Sequence, residues 1–568
     1  MDDLQVPTAT PTAGEHLESD TEAVRSWRQL VIFTLQRSGQ RSTIASCRSS
    51  SPAEINSKDL QMFCLKEMYF GVEGVSDARE THAGFAQFFI SPLMSPDATL
   101  REIKAVHSEN QKNLLSDVWR MSQLQKHLSS RNHPYHKFGT GNWNTLEVQP
   151  KLNGLDTRLE LIKFYKKYYS ANLMHLVVYA REGLDAIQSL VEQKFCDIQN
   201  SGQDYSYFPG QPCSSEHLQI LAKAVRIKQG HILRVVWPIA PSIRNYKEGP
   251  CRYLSHLIGH EGEGSVFFVL KQLGVLIPVF DMADLLQPVL SVGIGWALSL
   301  EAGEGDWSLE FSFFSVSIEL TDKGHEHIED IVGILFRYID LLQNSGVNKW
   351  IFDERVLFAQ VSEVTSTLCF LAFKKGEVLV GLHCFTGTFN PNQKDGVNFP
   401  PEDWLVRWSL PSNFVPSTIQ TILDELTPEN IRMFWESKNF EGCTDSVEPW
   451  YGTSYSVEKV TVSIIKQWIA KAPEVDLHLP KQNVFIPSDL TIKNAQEKVK
   501  YPILLRTSSF SRLWYKPDTM FSMPKAYIKV EFNCPQSIVS PEAEVLTYIF
   551  TKLLIDYLNE YGKHLFDT

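Results

Sequence analysis

The 568-residue sequence has no apolar run of the roughly 18 residues that a membrane-spanning helix requires. Its first twenty residues are polar and acidic, so they do not resemble a secretory signal. An excess of basic charge is also missing, because 54 Lys and Arg stand against 66 Asp and Glu, a formal net charge of -12. Phosphate contacts need clustered cations, so a nucleic-acid partner is not expected. The composition favours a neutral or basic partner, and no membrane.

The nine cysteines form no Cys-x-x-Cys pair. We therefore expect reduced, structural thiols in an intracellular compartment. The last three residues, Phe566-Asp567-Thr568, do not match the peroxisomal Ser-Lys-Leu address. These observations predict a cytosolic location.

The composition, 43% apolar and 21% charged, is that of a globular protein. Its length predicts about three or four domains. Helical and strand patterns are mixed along the chain, which indicates an α+β fold with layers of sheet and helix. We predict a strand over Leu173 to Ala180, a strand over Ile232 to Trp237, and an amphipathic helix from Ile328 to Leu342.

Five further patterns give sharper expectations. Ser95-Pro96-Asp97 predicts a helix start, and the apolar spacing predicts that this helix continues through Val118 and Met121. A second helix is predicted from Asp156. Other predictions are a helix over 253–273, a strand over 307–320 with a β-bulge at a change of parity, and a strand over 526–532 followed by a helix from Pro541.

Six segments, in the same order as in one known family, lie between residues 85 and 455. They are FAQFFISPL (85–93), EIKAVHSENQKN (102–113), HPYHKFGTGNWNTL (133–146), HLIGHEGEGS (256–265), AGEGDWSLEFSFF (302–314) and EPWYGTSY (448–455). Together they resemble the insulin-degrading enzymes, which are zinc metallopeptidases of the pitrilysin type (inverted zincins), and most of all the plant-type members. The resemblance implies tandem homologous domains, each a sheet covered by helices, that close around peptide substrates.

The resemblance also implies a domain plan. Residues 1–80 form a divergent, mostly disordered segment, and 81–206 are the remainder of the first, catalytic-type domain. Residues 207–437 form the second domain, which carries the substrate exosite; 438–480 are a polar connector; and 481–568 are a shortened third domain, with the fourth absent. The segments 275–295 and 372–396 do not fit the family, and such blocks resemble translated introns. A missing domain would expose an apolar surface between domains.

A zinc peptidase of this kind needs two His one helical turn apart, a distant carboxylate, and a Glu that acts as general base. Glu102 and Glu109 are seven residues apart, so they share one face of a helix. By resemblance Glu109 matches the third zinc ligand and Glu102 a supporting acid. Trp119 matches an aromatic residue near the scissile side chain, although an aromatic at helical spacing also suits a core.

The His-x-x-Glu-His motif is absent from the whole sequence. The window where the family pattern places it, VIFTLQRSGQRSTIASCRSS (31–50), has no histidine. Zinc is implied by resemblance only, and we expect this chain to be an inactive homologue of a peptide-degrading zinc metalloendopeptidase. The alternative is a non-catalytic peptide-binding or regulatory subunit that pairs with an active homologue.

His256 and His260 are four residues apart, with Glu261 adjacent. They make a poor zinc-peptidase match because no Glu lies between them, so a structural or a peptide-docking role is the alternative. By resemblance this segment is an exosite that anchors a substrate N-terminus by edge-strand pairing. The positions that carry over are His256, Gly259, Glu261, Leu300, Ala302 and Glu304. Glu261 or Glu304 would pair with the α-amino group, and Ala302 stands where the family more often has Gly.

His325-Glu326-His327 looks like a metal-binding sequence. Adjacent side chains diverge on either a helix or a strand, so they do not converge on one ion. We expect a solvated helix start here.

Overall fold

A computed structural model describes residues 29–34, 86–173, 175–180, 184–202, 210–274, 295–359, 411–483, 499–517, 528–531 and 533–566. The predicted disorder of the N-terminal segment, apart from 29–34, lies outside these residues. So do 275–294 and 372–396, two of the stretches that do not fit the family.

The first part of the chain pairs two strands and packs four main helices. Strand β1 (Gln29–Thr34) runs antiparallel to β2 (His175–Ala180), which confirms the predicted strand before Ala180. The helices are α1 (Pro96–Asn113), α2 (Asp117–His127), α3 (Thr157–Tyr168) and α4 (Leu184–Phe195). Helix α3 begins as predicted, because the Asp156 carboxylate accepts the Leu159 N–H at 3.0 Å.

The predicted single helix from Ser95 through Met121 is two helices. Its start is confirmed, since Ser95 Oγ accepts the Ala98 N–H at 3.3 Å and Pro96 occupies the first turn. Helix α1 then ends at Asn113 and α2 begins at Asp117. The Asp117 carboxylate accepts the N–H groups of Ile227 and Lys228 at 2.8 and 3.1 Å, which fixes the start of α2 to a distant loop.

A seven-stranded sheet forms the centre of the described structure. Its strands are β3 (Ile220–Ala224), β4 (His231–Ile239), β5 (Ala297–Trp307), β6 (Ser312–Leu320), β7 (Arg432–Ser437), β8 (Ser446–Val447) and β9 (Ser454–Lys459). The order is β5-β6-β4-β7-β3-β9-β8. Only β3 and β7 run parallel; the other neighbours are antiparallel, with Val235 opposite Val316 in the β4–β6 pair. Strand β4 confirms the predicted strand over 232–237.

One face of the sheet carries the main core beneath a layer of helices. The helices are α5 (Pro250–Ile258), α6 (Val266–Gln272), α7 (Ile328–Ser345), α8 (Pro416–Asp424) and α9 (Val462–Lys471). Trp237, Val235 and Phe314 are fully buried there. Each such side chain stabilises the fold by roughly 1.5–3 kcal/mol relative to exposure. Helix α7 confirms the predicted amphipathic helix.

The opposite face of the sheet packs against the first part of the chain. Ala222, Val236 and Phe313 are buried there, with Leu128 and Tyr135 against them. The buried Arg432 donates from Nη2 to the carbonyls of Gln125 and Leu128 at the end of α2. The sheet is therefore covered on both faces.

The predicted strand over 307–320 is the end of a hairpin. Strand β5 ends at Trp307, and the Ser308 N–H closes a turn onto the Phe311 carbonyl at 2.7 Å before β6 begins. The change in the alternation of apolar side chains marks this turn. A shift in the register of β5 against β6 lies upstream of it, between Glu304 and Trp307. Parity alone does not distinguish a turn from a bulge.

The predicted helix over 253–273 is also divided. Helix α5 ends at Ile258 and α6 starts at Val266, with Ser265 Oγ accepting the Phe268 N–H at 3.2 Å. Gly264 has a φ of +80°, which a continuous helix cannot contain. Glycines in the interval override the apolar spacing.

The stretch 438–480, predicted to be a polar connector, contributes β8, β9 and α9 to the sheet and its core. Ile465 and Trp468 of α9 are buried against α7. The composition of 438–480 is polar and turn-rich because its strands and helix are short and each buries side chains on one side only. The domain boundaries themselves stay predictions.

The last described part contains a hairpin and a long helix. Strands β10 (Ile503–Thr507) and β11 (Arg512–Tyr515) pair antiparallel, and α10 spans Pro541–Phe566, which confirms the predicted start. Residues 528–531, predicted as strand, form none. In the described parts of the chain, no helix combines the length and apolarity needed to cross a membrane.

Candidate functional site

Strand β5 is one of the two edge strands of the described sheet; β8 is the other. The inner side of β5 pairs with β6, with Leu300 opposite Ile318 and Ala302 opposite Val316. On its outer side, no strand of the described residues pairs with it. Alternate backbone N–H and C=O groups of an edge strand can bind an added strand.

Helix α5 approaches β5 closely at Gly259. A Cβ added to Gly259 would lie 2.7 Å from the Ser255 carbonyl oxygen and 3.7 Å from the Ala302 Cβ. The position therefore favours glycine. The structure brings together Gly259 and Ala302, two of the predicted docking positions that are 43 residues apart in sequence (302 − 259).

His256 and His260 do not form a helical pair of metal ligands. His256 lies in the last turn of α5, whereas His260 follows the helix end. Their rings are nearly perpendicular, at 86°, with centroids 5.9 Å apart. The Nδ1 atom of His260 accepts the Gly262 N–H at 3.0 Å, so this nitrogen holds the turn. Both residues and Glu261 are partly exposed.

Glu304 is held by hydroxyl groups of its own fold. Its carboxylate accepts from Ser242 Oγ at 2.6 Å and from Ser312 Oγ. Burial raises the pKa of the nearby Cys251 thiol well above its usual value, and the Glu304 charge adds to this. Glu304 thus joins β5 to the turn before α5, through Ser242, and to β6, through Ser312.

Burial lowers the pKa of Arg252 to about 10, with a further lowering from Arg355, and Glu304 opposes the change. The Arg252 cation on α5 and the Glu304 carboxylate on β5 therefore attract each other.

Leu300 has only 3% of its surface exposed. Its side chain belongs to the main core, so it can offer a docked peptide its backbone alone. The partly exposed predicted positions are His256, Gly259, Glu261, Ala302 and Glu304.

Glu102 and Glu109 lie exposed on one face of α1, whereas Ile103 and Asn110 are buried. Nowhere among the described residues do three His, Cys, Asp or Glu side chains come together as metal ligands. A catalytic zinc site needs three protein ligands and an open position, and the described ranges by themselves supply no such set around Glu102 and Glu109. Trp119 lies on α2, not on the Glu109 helix as predicted, because the helix breaks at 114–116.

His325 and His327 each stack on an aromatic ring, although the His327 side chain is still 41% exposed. The His325 ring stacks on His231 at 4.0 Å, and its Nδ1 accepts the Trp435 Nε1–H at 2.9 Å. The His327 ring stacks on Trp296 at 4.1 Å. The predicted solvated helix start is confirmed in part, because His327 directly precedes α7 and is partly exposed, whereas His325 packs against His231 and Trp435.

Sequence reasoning missed the two serines that hold Glu304. Ser312 follows a turn that was read as strand, and Ser242 lies 62 residues before Glu304 (304 − 242), where no local pattern indicates the contact.

Two family models match the chain. Residues 157–356 match the peptidase M16 inactive domain, and 392–564 match the middle or third domain of peptidase M16. Insulin-degrading enzyme-like 1, peroxisomal, from Arabidopsis thaliana is 56% identical over 478 residues, which cover 84% of this chain and 46% of the relative. Human insulin-degrading enzyme is 37% identical over 480 residues, covering 84% and 44%. The chain thus spans about half the length of these curated relatives.

Among solved structures, pitrilysin superimposes with a TM-score of 0.65 at 20% identity, covering 85% of this chain and 48% of that chain. At this identity the match speaks for the fold alone.

Proposed function

Because this chain belongs to the M16 peptidase family, together with the insulin-degrading enzymes, we propose that it binds peptides along the outer edge of β5. The observation that carries the proposal is the unpaired outer side of β5 within the described structure, beside the close contact of Gly259 with Ala302. An extended peptide would add as a further strand, and its backbone hydrogen bonds would supply most of the affinity.

Residues 259–264, here named the docking loop, follow α5, and Gly259 at the start of the loop approaches Ala302 of β5. Of the two carboxylates that the resemblance offers for the α-amino group of the peptide, Glu304 holds β5 through Ser242 and Ser312. We assign the α-amino group to Glu261, a partly exposed carboxylate of the docking loop. A contact of this kind between partly solvated charges contributes about 0.2–1 kcal/mol.

The test uses the purified full chain and a fluorescent peptide with a free N-terminus. Glu261→Gln should weaken binding by roughly two- to fivefold. The same peptide with an acetylated N-terminus should bind wild type and Glu261→Gln equally. Glu329→Gln, which removes one exposed charge on α7, is the matched control. Absence of binding to wild type, or an equal effect of both variants, would refute the proposal.

We further propose that the chain does not hydrolyse the peptide it binds. Water activation by a zinc peptidase needs the metal and a general base, and the sequence has no His-x-x-Glu-His. Glu102 and Glu109 alone provide neither a complete ligand set nor a base positioned by a metal. Metal analysis after dialysis against zinc should give well below one equivalent, and a quenched peptide should stay intact. One bound equivalent with chelator-sensitive turnover would overturn this.

A second candidate is a regulatory subunit that pairs with an active homologous peptidase. Exposed apolar side chains in 499–554 favour it, since Phe510 is 96% exposed and Leu546 57% exposed. Mixing the chain with an active homologue should then give a complex on size-exclusion chromatography and change its turnover. Two separate peaks and unchanged turnover would argue against pairing.

We propose a cytosolic location, because the nine cysteines form no Cys-x-x-Cys pair and fit reduced thiols. The Arabidopsis relative has peroxisomal in its name. Fractionation of the source tissue would distinguish the two compartments.

A further inference from the structure

An extended segment, residues 473–483, crosses the layer of helices after α9; we name it the strap. Arg337 of α7 fixes its start by donating from Nη1 to the Pro473 carbonyl at 2.7 Å. The Asn483 N–H fixes its end by donating to Glu354 Oε2 at 3.3 Å. Between these points Leu477 and Leu479 pack against the main core.

The middle of the strap lies on the docking loop. The His478 N–H donates to the Gly264 carbonyl at 3.1 Å. A Cβ added to Gly264 would lie 2.5 Å from atoms of the His478 ring, so the ring rests directly on this glycine. The His478 Nδ1 atom lies 2.9 Å from the Leu479 carbonyl oxygen, which sets the orientation of the ring.

A second contact lies beside the first. Lys481 Nζ is 2.8 Å from Glu263 Oε2, although both side chains are largely exposed. An exposed ion pair of this kind contributes little, so the ring contact with Gly264 is the stronger one. Gly264 is restricted twice, by its φ of +80° and by the ring above it.

We propose that the strap positions the docking loop for peptide binding, with His478 as the positioning residue. The inference rests on the proposed peptide-binding function. The loop contains three glycines, Gly259, Gly262 and Gly264, so its backbone is costly to order. A contact that orders the loop before the peptide arrives removes part of that cost from binding.

The experiment compares His478→Ala with His478→Phe in the full chain. Alanine removes the ring, and phenylalanine keeps a ring over Gly264. With the free-amine peptide, His478→Ala should weaken binding by about fivefold, whereas His478→Phe should stay within about twofold of wild type. Amide hydrogen exchange in 259–264 should be faster in His478→Ala only. Glu474→Gln, an exposed residue of the same strap away from the docking loop, is the matched control and should change binding by less than about twofold.

The outcomes separate the two proposals. If wild type binds the peptide but His478→Ala binds equally well, with unchanged exchange in the loop, the strap has no positioning role and peptide binding stands. If wild type binds no peptide, both proposals fail. If His478→Phe loses as much affinity as His478→Ala, the ring contact is not the cause and the inference is overturned.

Discussion

The sheet region, residues 210–274, 295–359 and 411–483, and the C-terminal region, 499–566, use similar apolar residues very differently. Trp237 of the sheet is fully buried, whereas Trp514 of the β10–β11 hairpin is 56% exposed. The sheet has helices on one face and the α2 segment on the other, but the hairpin and α10 expose their apolar side chains. The comparison teaches that an apolar pattern specifies an element, and a neighbour must still cover it.

A matched pair of tryptophan substitutions tests most strongly whether the sheet region is covered and the C-terminal region is exposed. Trp237→Ala should lower the free energy of unfolding by about 3–5 kcal/mol, because it opens a cavity in the main core. Trp514→Ala should change it by less than about 1 kcal/mol, because half of its surface is already in water. Denaturant titration with near-ultraviolet detection measures both. Equal losses would show that the C-terminal region is covered in solution.

Arginines give a second matched pair. Arg432 is 1% exposed and caps the end of α2 through two carbonyls, so Arg432→Ala should cost about 2–3 kcal/mol. Arg512 on β11 is exposed, and Arg512→Ala should cost less than about 0.5 kcal/mol. Thermal unfolding is the measurement. A near-neutral Arg432→Ala would mean that α2 is not held to the sheet by this group.

Acid should weaken the sheet region and its cover. Burial lowers the pKa of five histidines located there: His127, His133, His136, His217 and His325. Their folded pKa lies below the unfolded value of about 6.5, so the unfolded state binds more protons at mildly acidic pH. The stability they provide is present above that value and lost as the pH falls. Chemical unfolding measured from pH 8 to pH 5 should show this loss.

Buried carboxyls with a raised pKa work against the histidines, and Glu436 is the most buried of them. Burial raises the pKa of Glu436 to about 7, with opposition from Arg234 and Arg226. The pKa of Glu436 is near 4.5 in the unfolded state and about 7 in the folded state. Between these pH values the folded state binds more protons at this carboxyl than the unfolded state does, so its titration stabilises the fold as the pH falls. Glu436→Gln should therefore steepen the acid-side loss of stability. A slope equal to that of wild type would show that Glu436 does not titrate in this range.

The resemblance and the mixed α+β fold class were predictable from sequence and are confirmed by the relatives and by the pitrilysin fold. The starts of α1 and α3 were predictable because caps are local signals at Ser95 and Asp156. The break at 114–116 was missed because the apolar spacing continues across it, whereas 259–264 holds three glycines and no apolar side chain, a local signal that the helix prediction passed over. Periodicity indicates which residues face a core, but it does not show whether the chain turns between them.

The candidate site was also predictable from the sequence only in part. The sequence identified the docking loop and the 302–304 strand by family resemblance, but it could not show that Glu304 bonds Ser242 and Ser312 or that Leu300 is buried. It gave no indication of the strap, because the His478–Gly264 contact joins residues 214 positions apart (478 − 264). Long-range contacts of this kind leave no local pattern.

The sequence by itself determined the family, the element types with strong periodicity and the absence of His-x-x-Glu-His, because these depend on residue identity and local spacing. Only the tertiary structure decided that β5 is an edge of the sheet, that 438–480 belongs to that sheet, and that the strap lies over the docking loop. The reason is physical: an edge, a cover and a close approach are relations between distant segments, fixed by packing rather than by any one segment's composition.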